Sequence, residues 1–167
     1  GETSENLSYL PVMTNQLKGY KTGNYEESFD EIVEYIDSHY RTIRKKEKRA
    51  VAGLSMGGFH SLFIALNHPE KFNYVGLLSA GLNTAFLDMT KPAYKDMETK
   101  LKNFQKEGYD LFWIACGKDD FLYQNNLDFM KTCDNIGFEY TYHESERGHI
   151  WANWRQYLLL FTPMLFK

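Results

Sequence analysis

The chain has 167 residues, which suits one domain and is short for two. Its 43% hydrophobic share, with 12 Phe, 12 Tyr and 3 Trp, can fill a sizeable core. A net charge of -3, from 19 basic and 22 acidic residues, gives no electrostatic ground for a nucleic-acid or polyanionic partner, and no run approaches the roughly 20 apolar residues of a membrane span.

Residues 1–24 are polar and irregular apart from Leu10, Pro11 and Val12. Phe29, Ile32, Val33 and Ile36 then fall on one helix face, with Asn24 placed to cap it and Glu26 and Glu27 suited to its first turn. The basic cluster Arg41 to Arg49, broken by Glu47, reads as a solvated connection. Ala50 to Leu54 is a short run without alternation, as expected of a strand buried on both faces. Phe59, Leu62, Phe63 and Leu66 mark a second helix stopped by Pro69, and Tyr74 to Ser79 a second buried strand. Residues 80–110 form a long excursion, either a pocket wall or a surface insertion. It holds a helix marked by Tyr94, Met97, Leu101 and Phe104 and ending near Gly108. Leu111 to Cys116 is the clearest strand; a helix over about 123–135 closes at Gly137. Phe138 to His143 reads as a last strand, and Trp151, Trp154, Leu158 and Phe161 as the stripe of a last helix.

Strands alternating with helices predict an α/β fold, a mostly parallel sheet with helices on both faces, as a single domain over 1–167. Cys116 and Cys133 make no disulfide framework and read as buried thiols. No signal peptide is visible and the first residue is Gly1, so compartment is not legible from the start of the chain.

Gly53-Leu54-Ser55-Met56-Gly57 matches G-x-S-x-G, with Gly58 beyond it. The motif stands between a buried strand and an amphipathic helix, where it has mechanical meaning. Ser55 would sit at the tip of a sharp turn, at a helix N-terminus that favours developing negative charge. A serine hydroxyl needs a base, and the base an orienting acid, and in this arrangement both follow the serine past the ends of later strands. Of five histidines, His39 precedes the serine, His60 and His68 lie on or just past the next helix, and His143 lies within a strand. His149, in the loop Ser145-Glu146-Arg147-Gly148-His149, has the right order and place. For the acid, Asp119 and Asp120 both directly follow the third strand.

GLSMGG, CGKDDFLY and GHIWANWRQYL together resemble the esterase D / feruloyl esterase family, carbohydrate esterase family 1 in the wider sense, with tributyrin esterases and S-formylglutathione hydrolases as relatives. The resemblance covers about residues 25–167 and implies an α/β-hydrolase fold. It makes Ser55 the nucleophile, Asp120 the acid and His149 the base, and gives one oxyanion-hole N–H to Met56. It implies ester hydrolysis through an acyl-enzyme, with no cofactor and no metal. Feruloyl or acetyl esters of plant polysaccharides are the expected substrates, outside the cell or in the periplasm. A short-chain acyl or S-formylglutathione-type hydrolase is the alternative, and a catalytically silent saccharide-binding or partner-binding fragment the third reading. The family also carries earlier strands and an HG-type loop that supplies a second oxyanion donor; residues 1–50 contain no HG pair. The chain is therefore expected to lack N-terminal strands, to leave an apolar edge at the serine strand, and to pair there with a missing segment or another chain. Trp151 and Tyr123, just after the base and the acid, are the candidate substrate-binding aromatics. Trp154 and Leu122 read as core.

Overall fold

Three apolar runs and the more polar Thr141–Ser145 form four strands, and each connection between neighbours carries a helix. A computed structural model describes residues 23–82 and 87–167, so Leu10 to Val12 lie outside the described residues. In chain order the elements are α1 (Asn24–Glu27), α2 (Phe29–His39), β1 (Ala50–Leu54), α3 (Met56–Asn67), β2 (Tyr74–Leu78), α4 (Met97–Glu107), β3 (Leu111–Gly117), α5 (Tyr123–Ile136), β4 (Thr141–Ser145) and α6 (Trp151–Phe161). Short 3-10 turns occupy Lys46–Lys48 and Thr162–Met164. The strands lie in the order β1-β2-β3-β4, and every neighbouring pair is parallel.

Alternation along β2 and β3 divides the core. Val75, Leu77, Phe112 and Ile114 face the layer built by α3, α4 and α5. Leu78, Trp113 and Ala115 face Tyr157 and Phe161 of α6. Gly76 belongs to this second face, since a Cβ there would meet Phe161 at 2.8 Å. Helices thus cover both faces of a parallel sheet, as the alternation of elements predicts. Among the described residues no helix is long and apolar enough to cross a membrane.

Register places the chemistry. Leu54 pairs with Leu78, Leu78 with Ala115, and Gly117 with Ser145, so all four strands end together at one rim. The loops that follow β1, β3 and β4 carry Ser55, Asp120 and His149.

The structure differs from the sequence reading at several points. Gly23, at φ 75, starts the short α1, which takes up Asn24, and α2 begins only at Phe29 after Ser28. β1 is an edge strand of the described sheet with Ala52 exposed, so it is not buried on both faces. Beside its start, Phe29, Ile32, Ile36, Ala50, Phe72 and Phe166 line an open apolar cleft of about 680 Å³. Tyr94 precedes α4 and is buried against Phe59 and Phe63, which seats that part of the excursion on the back of α3. β4 starts three residues later than Phe138, because the Glu139 N–H bonds the Gln105 side chain at 2.8 Å and leaves the ladder. The inward stripe of α6 is Asn153, Tyr157 and Phe161, while Trp151 and Leu158 are exposed.

Candidate active site

Ser55 holds φ 55 and ψ -119, a region that non-glycine residues avoid at a cost of about 1–3 kcal/mol. Its surroundings fix that conformation. The Ser55 N–H donates to the Leu78 carbonyl at 2.9 Å, which carries the β1–β2 ladder one residue past the strand. The Ser55 carbonyl accepts from Gly58 at 3.1 Å, Phe59 at 3.3 Å and Gly81 at 3.0 Å. Two glycines make the turn possible: a Cβ on Gly53 would meet the Gly57 backbone at 2.3 Å, and one on Gly58 would meet the Ala80 Cβ at 2.6 Å. Gly57 itself faces open space. Met56 is the first residue of α3, so its N–H has no carbonyl within the helix to bond and lies next to the serine.

Asp120 follows β3 through a turn in which its N–H bonds the Gly117 carbonyl at 3.1 Å. Its side chain is fully buried, and Oδ1 accepts the Leu122 N–H at 2.9 Å. Asp119 is exposed instead, and its N–H bonds the Arg147 carbonyl at 3.1 Å. That bond ties the loop after β3 to the loop after β4.

His149 ends the loop after β4. Arg147 takes φ 68 there, and a Cβ on Gly117 would stand 2.1 Å from the Arg147 carbonyl oxygen, so the two loops are in close contact. The buried Asn153 side chain donates to the carbonyls of Glu146 and Gly148, each at 3.0 Å. Sequence reasoning missed Asn153; its one signal is its place four residues before Tyr157 on the inward face of α6.

These loops bring three side chains into line. His149 Nδ1 is 2.9 Å from Asp120 Oδ2 and 3.1 Å from Oδ1, and His149 Nε2 is 3.0 Å from Ser55 Oγ. With the carboxylate at Nδ1 that nitrogen carries the proton, which leaves Nε2 free to accept from the serine hydroxyl. Such a chain can withdraw a proton from Ser55 and return it elsewhere.

The expected aromatics are placed differently from one another. Trp151 is 65% exposed and meets the edge of Trp154 at 5.1 Å between ring centroids. With Gly53, Leu54 and Leu78 it lines an apolar cleft of about 250 Å³ beside the serine turn. Tyr123 donates its hydroxyl to Glu144 at 2.6 Å, a bond that raises the phenol above its ordinary range and ties the ring to β4. The rings packed on His149 are Trp154, edge-on at 4.8 Å, and Phe121, tilted at 4.6 Å and 74% exposed. Trp154 and Leu122 are half-buried, Trp154 against the α6 core. Phe121 carried no signal in the sequence beyond its place after the acid.

The other histidines stay apart from Ser55. His39 bonds Ser38 and the Tyr35 carbonyl, His60 bonds Glu26 at 2.6 Å, His68 lies beside Asp30, and His143 stacks on Trp113. Cys116 and Cys133 are buried free thiols, each pushed up to about 12 by burial. Among the described residues no group of three or more His, Cys, Asp or Glu could hold a metal ion.

The family model named Esterase matches residues 9–163. The chain belongs to the Esterase family. Over 156 residues this esterase-family chain is 30% identical to an acetyl esterase of Caldicellulosiruptor saccharolyticus, covering 77% of itself and 58% of that relative. Over 75 residues it is 43% identical to an endo-1,4-beta-xylanase/feruloyl esterase of Xylanibacter ruminicola, covering 41% of itself and 10% of that protein. In fold it is similar to the S-formylglutathione hydrolase FrmB of Staphylococcus aureus, with a TM-score of 0.73 and 26% identity over 90% of this chain and 64% of that one. The chain thus spans less than two-thirds of the length of each of these relatives. Its sheet and helices have the α/β-hydrolase arrangement that the sequence motifs imply.

Proposed function

We propose that this chain carries the catalytic centre of a carboxylic ester hydrolase that works through an acyl-enzyme on Ser55. The observation that carries the reading is the unbroken path from Asp120 through His149 to Ser55, at 2.9 Å and 3.0 Å. His149 takes the Ser55 proton on Nε2 as Oγ attacks the ester carbonyl, and the negative charge that forms on the carbonyl oxygen is met by the Met56 N–H. Asp120 holds the imidazole in the required tautomer and stabilises its charged form. The C–O bond to the alcohol then breaks, and His149 gives its proton to the departing oxygen. Water enters, loses a proton to His149 and attacks the acyl carbon; Ser55 leaves with that proton and the acid is released.

For the substrate we infer an acetyl or feruloyl ester borne on a plant polysaccharide, the reading that the acetyl esterase and the xylanase/feruloyl esterase relatives support. For the acyl group we favour Trp151, which is exposed on the apolar cleft beside the serine turn, over Tyr123, whose hydroxyl is tied to Glu144. The likeness to the S. aureus S-formylglutathione hydrolase favours a second reading, a small thioester as substrate.

A fluorophosphonate probe tests the first claim: labelling of the folded protein that vanishes in Ser55→Ala supports it, and no labelling supports a silent binding domain. Rates on a feruloyl arabinose ester, p-nitrophenyl acetate and S-formylglutathione separate the substrates. Equal rates on all three defeat the polysaccharide-ester reading.

A further inference from the structure

Each member of the Ser55–His149–Asp120 path is followed directly by a large apolar residue left in solvent. Met56 is 39% exposed, Ile150 40% and Phe121 74%. A single exposed hydrophobic is ordinary. Three of them, each next to a reacting or orienting group, give the site an apolar rim. Within it Phe121 stands out, because its ring lies against the imidazole at 4.6 Å with the planes at 52°. The backbone on both sides of it is held: Asp120 is buried and bonded to His149, and the Leu122 N–H is bonded to Asp120 Oδ1. The ring therefore has a fixed base and an open face.

Resting on the esterase reading, the direction of proton transfer says which half of the substrate meets that face. The acyl carbon is bonded to Ser55 Oγ. The alcohol oxygen must receive its proton from His149 Nε2, so the alcohol stands on the imidazole side of the serine. Phe121 is the exposed ring packed against that imidazole. Close to it, exposed Asp119 and Arg147 sit on two loops joined by the Asp119 N–H to Arg147 carbonyl bond of 3.1 Å. An open aromatic face with charged hydrogen-bonding side chains nearby suits an alcohol that has a broad C–H face and outward hydroxyls.

We propose that Phe121 determines specificity for the alcohol half of the ester, selecting a saccharide ring over an open-chain alkanol.

The test compares two esters with one acyl group, methyl ferulate and a 5-O-feruloyl arabinose ester, in the full chain, Phe121→Ala and Phe121→Tyr. The wild type is expected to prefer the arabinose ester. Phe121→Ala is expected to lower the ratio of kcat/KM for the arabinose ester to that for the methyl ester by about 3–10-fold, the loss of one ring contact. Phe121→Tyr, which keeps the ring, should restore the ratio. An unchanged ratio in Phe121→Ala, a wild type with no preference, or a labelled wild type that hydrolyses neither ester overturns the proposal. Fluorophosphonate labelling is run beside it. If the folded wild type is not labelled, the esterase reading itself fails and takes the proposal with it; if wild type and Phe121→Ala label at equal rates and the ratio does not move, only the role of Phe121 fails.

Discussion

Asn153 donates to the Gly148 carbonyl at 3.0 Å from a side chain that is 6% exposed, and to the Glu146 carbonyl at the same distance. The first turn of α6 thereby holds the loop that presents His149. Asn153→Ala leaves two carbonyls without their donor and frees the loop. Stability should fall by about 1–3 kcal/mol, and kcat by about 10–100-fold through misplacement of the base, with a smaller change in KM. Asn153→Asp should not rescue kcat, because a carboxylate cannot donate. Thermal melts and steady-state kinetics on both variants check this.

Both Asp120 carboxylate oxygens meet His149 Nδ1, Oδ2 at 2.9 Å and Oδ1 at 3.1 Å. Asp120→Asn keeps the shape of the side chain and an oxygen for the Leu122 N–H, yet it can turn an N–H toward His149 and favour the wrong tautomer. We expect kcat to fall by about 10⁴-fold with the melting temperature little changed. A loss of activity accompanied by unfolding would assign Asp120 a structural role instead.

The glycines of the serine turn should separate cleanly. Gly58→Ala drives a Cβ to 2.6 Å from the Ala80 Cβ and should cost about 1–3 kcal/mol. Gly57→Ala meets nothing within 4 Å and lies in α3, so stability should hold or rise by up to about 1 kcal/mol. Denaturant melts of the two variants measure the contrast, and equal losses would mean that the turn is not packed as described.

What the sequence disclosed follows from how local each cause is. The Ser55 turn and the first three strands rest on neighbouring residues, an apolar run followed by Gly-Leu-Ser-Met-Gly, and were legible. The start of β4 was misplaced because Gln105, 34 residues away, takes the Glu139 N–H. The inward face of α6 was misread because it begins with a polar residue, Asn153, so an apolar stripe through Trp151 and Leu158 looked better. Asp119 and Asp120 are alike in composition and neighbourhood; the turn that buries one and exposes the other is a tertiary fact. The exposure of Ala52 comes from the place of β1 at the sheet edge, which no five-residue run reports.

The two thiols give a pH prediction. Burial pushes Cys116 and Cys133 up to about 12 from an ordinary 9.0. Between pH 9 and 12 the unfolded thiols ionise while the folded ones keep their protons. The folded state therefore loses stability as pH rises through that window, and neither thiol contributes a pH dependence below it. At pH 8 both should resist iodoacetamide in the folded protein and react once it is unfolded in urea. Rapid alkylation of the folded protein would show that β3 or α5 opens readily.

The most direct measurement is the mass of the protein quenched in acid during turnover of p-nitrophenyl acetate, followed by peptide mapping. One acetyl group on the peptide that contains Ser55, absent in Ser55→Ala, is the predicted result. Turnover by folded protein with no acetyl on Ser55, or with the acetyl on another residue, would contradict the account.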